Sequence, residues 1–145
     1  MVLEGNPGET SRELRIWPQQ DLLMVLNHGC SELIHRCANA SQAGVTLMPS
    51  NIRFYDISGD KAANPELVST YLPSRSAAQQ PHEIFLWTDP EDPGRVLLFM
   101  STPSSDESDL PGLMVTDISR AREGEFEEIG TWKGVIGNPD RDNRL

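Results

Sequence analysis

Residues 51–58, NIRFYDIS, decide the fold of this 145-residue chain because they recur as residues 112–119, GLMVTDIS. Both segments end on Asp-Ile-Ser, and the match continues downstream without a gap, so that Tyr71 falls on Trp132. A short segment of β-branched and aromatic residues that ends in a turn signal is typical of a β-strand. Self-similarity at this separation predicts a tandem repeat.

The repeat extends upstream to two further segments. Residues 14–17, LRIW, match residues 84–87, IFLW, and the apolar run after Asp21 matches the apolar run after Arg95. Each apolar run is short and bounded by turn residues, as buried strands are. Four strand-like segments therefore occur twice in the same order, whereas convincing helical periodicity occurs nowhere.

Each repeat unit is predicted to contain four strands. They lie at residues 14–17, 22–26, 52–58 and 66–72 in the first unit, and at residues 83–87, 96–100, 113–119 and 125–132 in the second. Four antiparallel strands in tandem repeat are typical of β-propeller blades, which stack on one another. The sequence therefore predicts an all-β fold, a β-propeller fragment of two four-stranded antiparallel blades. The alternative is two unrelated pairs of hairpins in a β-sandwich.

The repeat divides the chain into four predicted segments. Residues 1–12 form an N-terminal extension, residues 13–73 the first blade, residues 81–133 the second blade, and residues 134–145 a linker toward a missing blade. A propeller usually closes with about 4–8 blades. Two blades are therefore expected to belong to a longer protein or to assemble with copies of themselves.

The recurring segments resemble the LVIVD-repeat β-propeller proteins. The family motif Leu-Val-Ile-Val-Asp, followed by Ile or Val and then Ser, has counterparts in residues 52–58 and 113–119, and residues 81–87, PHEIFLW, look like the opening of a family blade. The sequence departs from the motif at Arg53 and Tyr55, which replace small aliphatic residues. The resemblance covers most of the chain and implies an exported or cell-surface scaffold rather than a reaction.

The charge balance argues against two classes of partner. The chain has 12 Lys and Arg against 22 Asp and Glu, a formal net charge of -10, and its mean hydropathy is -0.42. Such a surface repels phosphates, so neither nucleic acid nor anionic lipid is an expected partner. No apolar run approaches the roughly 20 residues of a transmembrane helix. The opening MVLEGNPGETSRE is not a secretory signal, so an exported parent protein is expected to carry its signal elsewhere.

His82 and Glu83 are the strongest candidates for chemistry. They stand at the predicted start of an innermost strand, where they would face the central channel and join equivalents from other blades to bind a ligand or a metal ion. The simpler interpretation is that His82 caps a turn. No cofactor is predicted for this chain, and a metal ion bound by the full-length protein is left open as an alternative.

Cys30 and Cys37 are the two cysteines of the chain. A structural zinc site usually takes four ligands from two pairs, and one pair is missing here. His28 and His35 flank the cysteines, but the spacing matches no standard metal site. We therefore predict a disulfide between Cys30 and Cys37, which requires an oxidising compartment. Two free thiols are the alternative.

Asp56 and Asp117 occupy the same place in the two units, and a position repeated in every blade is usually architectural. Each is predicted to hydrogen-bond the backbone of the turn after the third strand. No nucleophile elbow, phosphate-binding loop, zinc-protease helix or dinucleotide fingerprint is present. We predict a non-enzymatic scaffold, extracellular or at the cell surface, that binds a protein, peptide or carbohydrate ligand. The alternative is part of a metal-dependent enzyme with its site in the central channel.

Overall fold

The computed structural model describes residues 9–29, 50–74, 81–102 and 112–133. In these ranges the chain forms strands and three short 3-10 turns, with no α-helix. The strands are β1 (Glu9–Trp17), β2 (Leu22–Gly29), β3 (Asn51–Asp56), β4 (Glu66–Tyr71), β5 (Glu83–Thr88), β6 (Val96–Thr102), β7 (Gly112–Asp117) and β8 (Glu127–Lys133). Within the described ranges, no helix has the length and apolar character needed to cross a membrane.

The strands form two antiparallel sheets of four strands each. The first sheet has the order β1-β2-β3-β4, and the second has the order β5-β6-β7-β8. Each sheet is a meander in which consecutive strands pair, which is the form of a propeller blade. The predicted all-β fold of two four-stranded antiparallel sheets is confirmed.

The first strand is longer than the sequence predicts. β1 begins at Glu9, inside the segment assigned to the N-terminal extension, and its added part pairs with β2 as far as Gly29. The register shifts between Ser11 and Glu13, and the Ser11 hydroxyl donates to the Asn27 side chain at 2.9 Å. No apolar alternation marks this part of the strand, so pairing with β2 rather than intrinsic β-propensity holds it in the sheet.

Both sheets are built on one register. Leu22 lies opposite Trp17 in the first sheet. Leu97 lies opposite Trp87 in the second. The register also shifts at the same point between the third and fourth strands of each sheet. The repeat seen in the sequence is therefore a repeat of strand pairing as well.

The sequence alignment of the second strands of the two units, β2 and β6, is wrong by one residue. The sequence comparison placed Leu22 on Val96, whereas the register places Leu22 on Leu97. An uninterrupted apolar run looks the same after a shift of one residue. Only pairing with the neighbouring strands determines which residues share a face.

The two sheets stack face to face around one apolar core. The first sheet contributes Trp17, Leu22, Met24, Leu26, Ile52, Phe54 and Tyr71, and the second contributes Ile84, Val96, Leu98, Met100 and Met114. Phe54 stacks on Phe126 with ring centroids 5.5 Å apart. The buried Tyr71 hydroxyl lies 2.9 Å from the Thr116 hydroxyl across the interface. Hydrogen-bonded polar groups thus complete a largely apolar contact.

Candidate functional site

His82 and Glu83 lie where the first strands of the two sheets approach each other. The N–H of His82 donates to the carbonyl oxygen of Ser101 at 2.8 Å, which holds the start of β5 against β6. His82 is half-buried, and Glu83 is exposed. Both β1 and β5 are edge strands of their sheets. In a complete propeller this edge would line the central channel.

The side chain of Arg12 closes over His82. Its Nε donates to the main-chain oxygen of His82 at 3.3 Å, and its Nη2 contacts both ring nitrogens, with Nδ1 at 3.2 Å. A guanidinium group has only donors, so the imidazole must face it with an accepting nitrogen. That lone pair is engaged, and the positive charge of Arg12 would repel a metal ion.

A second imidazole belongs to the same corner of the molecule. The rings of His28 and His82 have centroids 6.1 Å apart, and the His28 ring contacts the carbonyl oxygen of Pro81. Across the ranges that the structure describes, no three His, Cys, Asp or Glu side chains come together as potential metal ligands.

An open groove of about 660 Å³ begins beside His82 and extends over the second sheet. Arg12, Glu13, Arg15 and Glu83 provide its charged lining, and Phe85 and Phe99 provide its aromatic lining. Phe85 is 62% exposed, and the two aromatic rings meet edge to face at 6.4 Å. The groove thus combines charges of both signs with an exposed aromatic surface, as protein-binding sites do.

Glu13 joins the two first strands. Its carboxylate accepts a hydrogen bond from the N–H of Ile84 at 2.7 Å and also pairs with Arg15. An outward N–H on an edge strand is thereby satisfied by a side chain from the other sheet. By the shared register, the residue of the second sheet that corresponds to Glu13 is Glu83.

Asp56 and Asp117 form the same turn at the ends of β3 and β7. The Oδ1 of Asp56 accepts a hydrogen bond from the N–H of Ser58 at 2.9 Å. The Oδ1 of Asp117 accepts one from the N–H of Ser119, also at 2.9 Å. The carboxylate thereby satisfies an N–H just beyond the strand. The two aspartates lie in separate sheets, and we interpret both as structural.

Cations surround Asp56. The Nζ of Lys61 lies 2.8 Å from its Oδ2, and the Nη2 of Arg122, from the turn after β7, lies 3.3 Å from its Oδ1. Arg122 also donates to the carbonyl oxygen of Gln20 at 3.1 Å, so this cluster links the two sheets. The hydrogen bond from Lys61, followed by that from the N–H of Ser58, holds the pKa of Asp56 well below its usual value.

We expect Asp56→Asn to destabilise the protein at neutral pH, with the difference from wild type narrowing in acid. Because the pKa of Asp56 is lower in the folded than in the unfolded protein, the unfolded state binds more protons. The stabilisation is present above the ordinary aspartate pKa of about 4 and is lost as the pH falls from about 5 toward 1. Urea midpoints measured across this range test the effect. Exposed Asp60→Asn is the control, and a pH-independent difference would contradict the prediction.

Comparison with protein-family models, with curated proteins and with solved structures finds no match for this chain. The resemblance to the LVIVD-repeat proteins therefore rests on the repeated motif. A functional assignment depends on that motif and on the geometry of the groove.

The two cysteines and the charged residues near the start of β1 differ in what the sequence predicted for them. Cys30 and Cys37 lie outside the described residues, so their disulfide remains a prediction. Arg12, Glu13 and Arg15 were not predicted as site residues, because Arg12 was assigned to the extension, Glu13 to the first blade just before its first strand, and Arg15 to that strand. One signal was present: Glu precedes LRIW in the first unit and IFLW in the second.

Proposed function

We propose that this protein is a non-enzymatic scaffold of the β-propeller type that binds a protein or peptide segment in the groove beside β5. The lining of the groove carries the proposal, because Arg12, Arg15 and Glu83 line the same groove as the exposed ring of Phe85. An aromatic anchor supplies binding energy, and flanking charges of both signs select and orient the partner.

The repeated motif supports a scaffold rather than a reaction. Asp56 and Asp117 accept hydrogen bonds within turns, and the guanidinium of Arg12 contacts the imidazole of His82. These contacts give less support to the alternative of a metal-dependent enzyme. The resemblance to LVIVD-repeat proteins extends the proposal to an exported or cell-surface protein. The predicted disulfide between Cys30 and Cys37 is compatible with that location, where such bonds persist.

Selection of peptides from a random phage-displayed library on the immobilised chain tests the proposal. We expect enriched peptides to combine an apolar residue with charged ones and to bind in isothermal titration calorimetry. Phe85→Ala should weaken their affinity at least about tenfold, because loss of a central aromatic contact typically costs about 2 kcal/mol or more.

Leu72→Ala is the matched control, because Leu72 is 58% exposed but does not line the groove. Its affinity for the selected peptides should equal that of the wild type. Peptides that bind Phe85→Ala unchanged would place the site elsewhere. Failure to select any peptide, together with Phe85-dependent binding of an oligosaccharide, would replace the proposal with a carbohydrate-binding function.

A further inference from the structure

The second sheet has one face in the core and one face turned away from it. Ile84, Leu98, Met100 and Met114 lie in the core. Their neighbours along each strand point to the opposite side, because successive side chains of a strand alternate between the two faces. We call this opposite side the outer face of the second sheet.

The centre of the outer face is apolar. The register places Phe85 opposite Phe99, Phe99 opposite Val115, and Leu113 opposite Trp132, so all four strands contribute to this surface. The side chains of Phe85 and Trp132 are 62% and 60% exposed. An exposed apolar surface that extends across a whole sheet is typical of an interaction site.

Carboxylates lie at opposite corners of this apolar surface. Glu83 is at the start of β5, and Glu127 is at the start of β8, opposite Asp117 of β7. Glu83 and Glu127 are both exposed. Within the part of the chain that the structure describes, neither of these two carboxylates forms an ion pair. Both charges are therefore available to a partner.

Arginines near these carboxylates already have partners. In the groove beside β5, Arg12 contacts the ring of His82 and Arg15 pairs with Glu13. Arg120 lines the same hollow as Glu127 at the end of β7, and it pairs with Glu125 at 2.5 Å. The outer face thus offers negative charge on two sides of an apolar centre.

The buried face of the first sheet provides an internal comparison. Asp56 on that face is the counterpart of Asp117 on the outer face of the second sheet. Arg122 belongs to the second sheet, which covers the first, and its Nη2 lies 3.3 Å from Asp56. Among the described residues, Asp117 accepts hydrogen bonds from Ser119 but has no such cation. A partner that covers the outer face would therefore meet an aspartate that still lacks a cation from the covering layer.

We propose that the outer face of the second sheet binds a protein partner through a segment that places apolar side chains between lysines or arginines. This rests on the proposed function, because Glu83, Phe85 and Phe99 also line the groove assigned to a protein or peptide, and it names the chemistry of that partner. Complementary charge selects one partner over another. A second copy of this chain fits poorly, since it carries the same formal net charge of -10.

Peptides enriched from the random phage-displayed library reveal the charge of the partner. We expect their sequences to contain more Lys and Arg than Asp and Glu, together with apolar residues. Their affinity in isothermal titration calorimetry should fall as sodium chloride is added, because salt screens exposed charges. Trp132→Ala should weaken binding at least about tenfold, as loss of an aromatic anchor does. Leu72→Ala, at an equally exposed apolar side chain of the first sheet, should leave the affinity unchanged.

Two charge reversals separate the outer face from the overall charge of the protein. Glu127→Lys and Asp60→Lys change the net charge equally, but Asp60 is exposed in the turn after β3 of the first sheet. Glu127→Lys should weaken binding of the enriched peptides about fivefold, because repulsion replaces a surface attraction. Asp60→Lys should change the affinity less than about twofold. Circular dichroism and thermal unfolding verify that the variants are folded.

Enriched peptides that depend on Phe85 but carry no net positive charge would overturn the proposal and leave the scaffold function standing. Equal effects of Glu127→Lys and Asp60→Lys would overturn it too, because the overall charge alone would then account for binding. Association of the wild type with itself in sedimentation velocity, abolished by Trp132→Ala, would assign the outer face to a second copy instead. Failure to select any peptide would remove the proposed function together with this partner.

Discussion

Replacement of Phe54 by alanine is expected to lower the free energy of unfolding by about 3–5 kcal/mol. Phe54 is fully buried and stacks on Phe126. Truncation removes apolar area and leaves a cavity between two sheets whose hydrogen-bonded backbones cannot collapse into it. Urea denaturation followed by circular dichroism measures the loss.

Phe85→Ala is the matched control because the same atoms are removed from a side chain that is 62% exposed. Its free energy of unfolding should stay within about 0.5 kcal/mol of the wild type. Equal losses for the two variants would show that the core does not lie between the sheets.

Replacement of Glu9 by alanine is also expected to lower the free energy of unfolding by about 3–5 kcal/mol. The carboxylate of Glu9 pairs with Arg53, and the two side chains are only 2% and 9% exposed. Asn51 donates a further hydrogen bond to Glu9 at 2.7 Å. Without Glu9, the guanidinium of Arg53 remains buried and loses its counter-charge, which costs far more than the loss of a surface pair.

A double-mutant cycle separates this pair from the general importance of β1. Glu9→Leu combined with Arg53→Met removes both charges and should cost less than Glu9→Ala alone. Glu125→Ala is the surface control, since the Arg120–Glu125 pair is 64% and 56% exposed and should contribute at most about 1 kcal/mol. Strictly additive losses at Glu9 and Arg53 would contradict a buried pair.

The ion pair also explains the departure of the first unit from the repeated motif. Arg53 stands where a small aliphatic residue is expected, and its counterpart Met114 is part of the core. In the first sheet, the buried guanidinium of Arg53 is neutralised by Glu9 instead. The sequence could not reveal this partner, because residues 1–12 had no strand signal and were assigned to an extension.

The candidate site likewise has one part that the local sequence predicts and one part that only the structure reveals. His82 and Glu83 were selected from their place at the start of a repeated strand. Arg12, whose guanidinium contacts the ring of His82, lies 70 residues earlier in the chain and belongs to the other sheet. No local pattern links residues that meet only when two sheets stack. The interpretation of His82 as a site residue therefore changed once its neighbour was known.

By itself, the sequence determined the strand content, the repeated order of four strands per unit and the turns that end the third strands. These depend on alternation, on turn chemistry and on contacts such as the hydrogen bond between Asp56 and Ser58, two residues apart in the chain. Only the tertiary structure decided the residue-by-residue match of β2 with β6, the ion pair of Arg53 with Glu9 and which face of each sheet lies in the common core. An apolar run reads alike in either register, and only pairing and stacking across long stretches of chain select one of them.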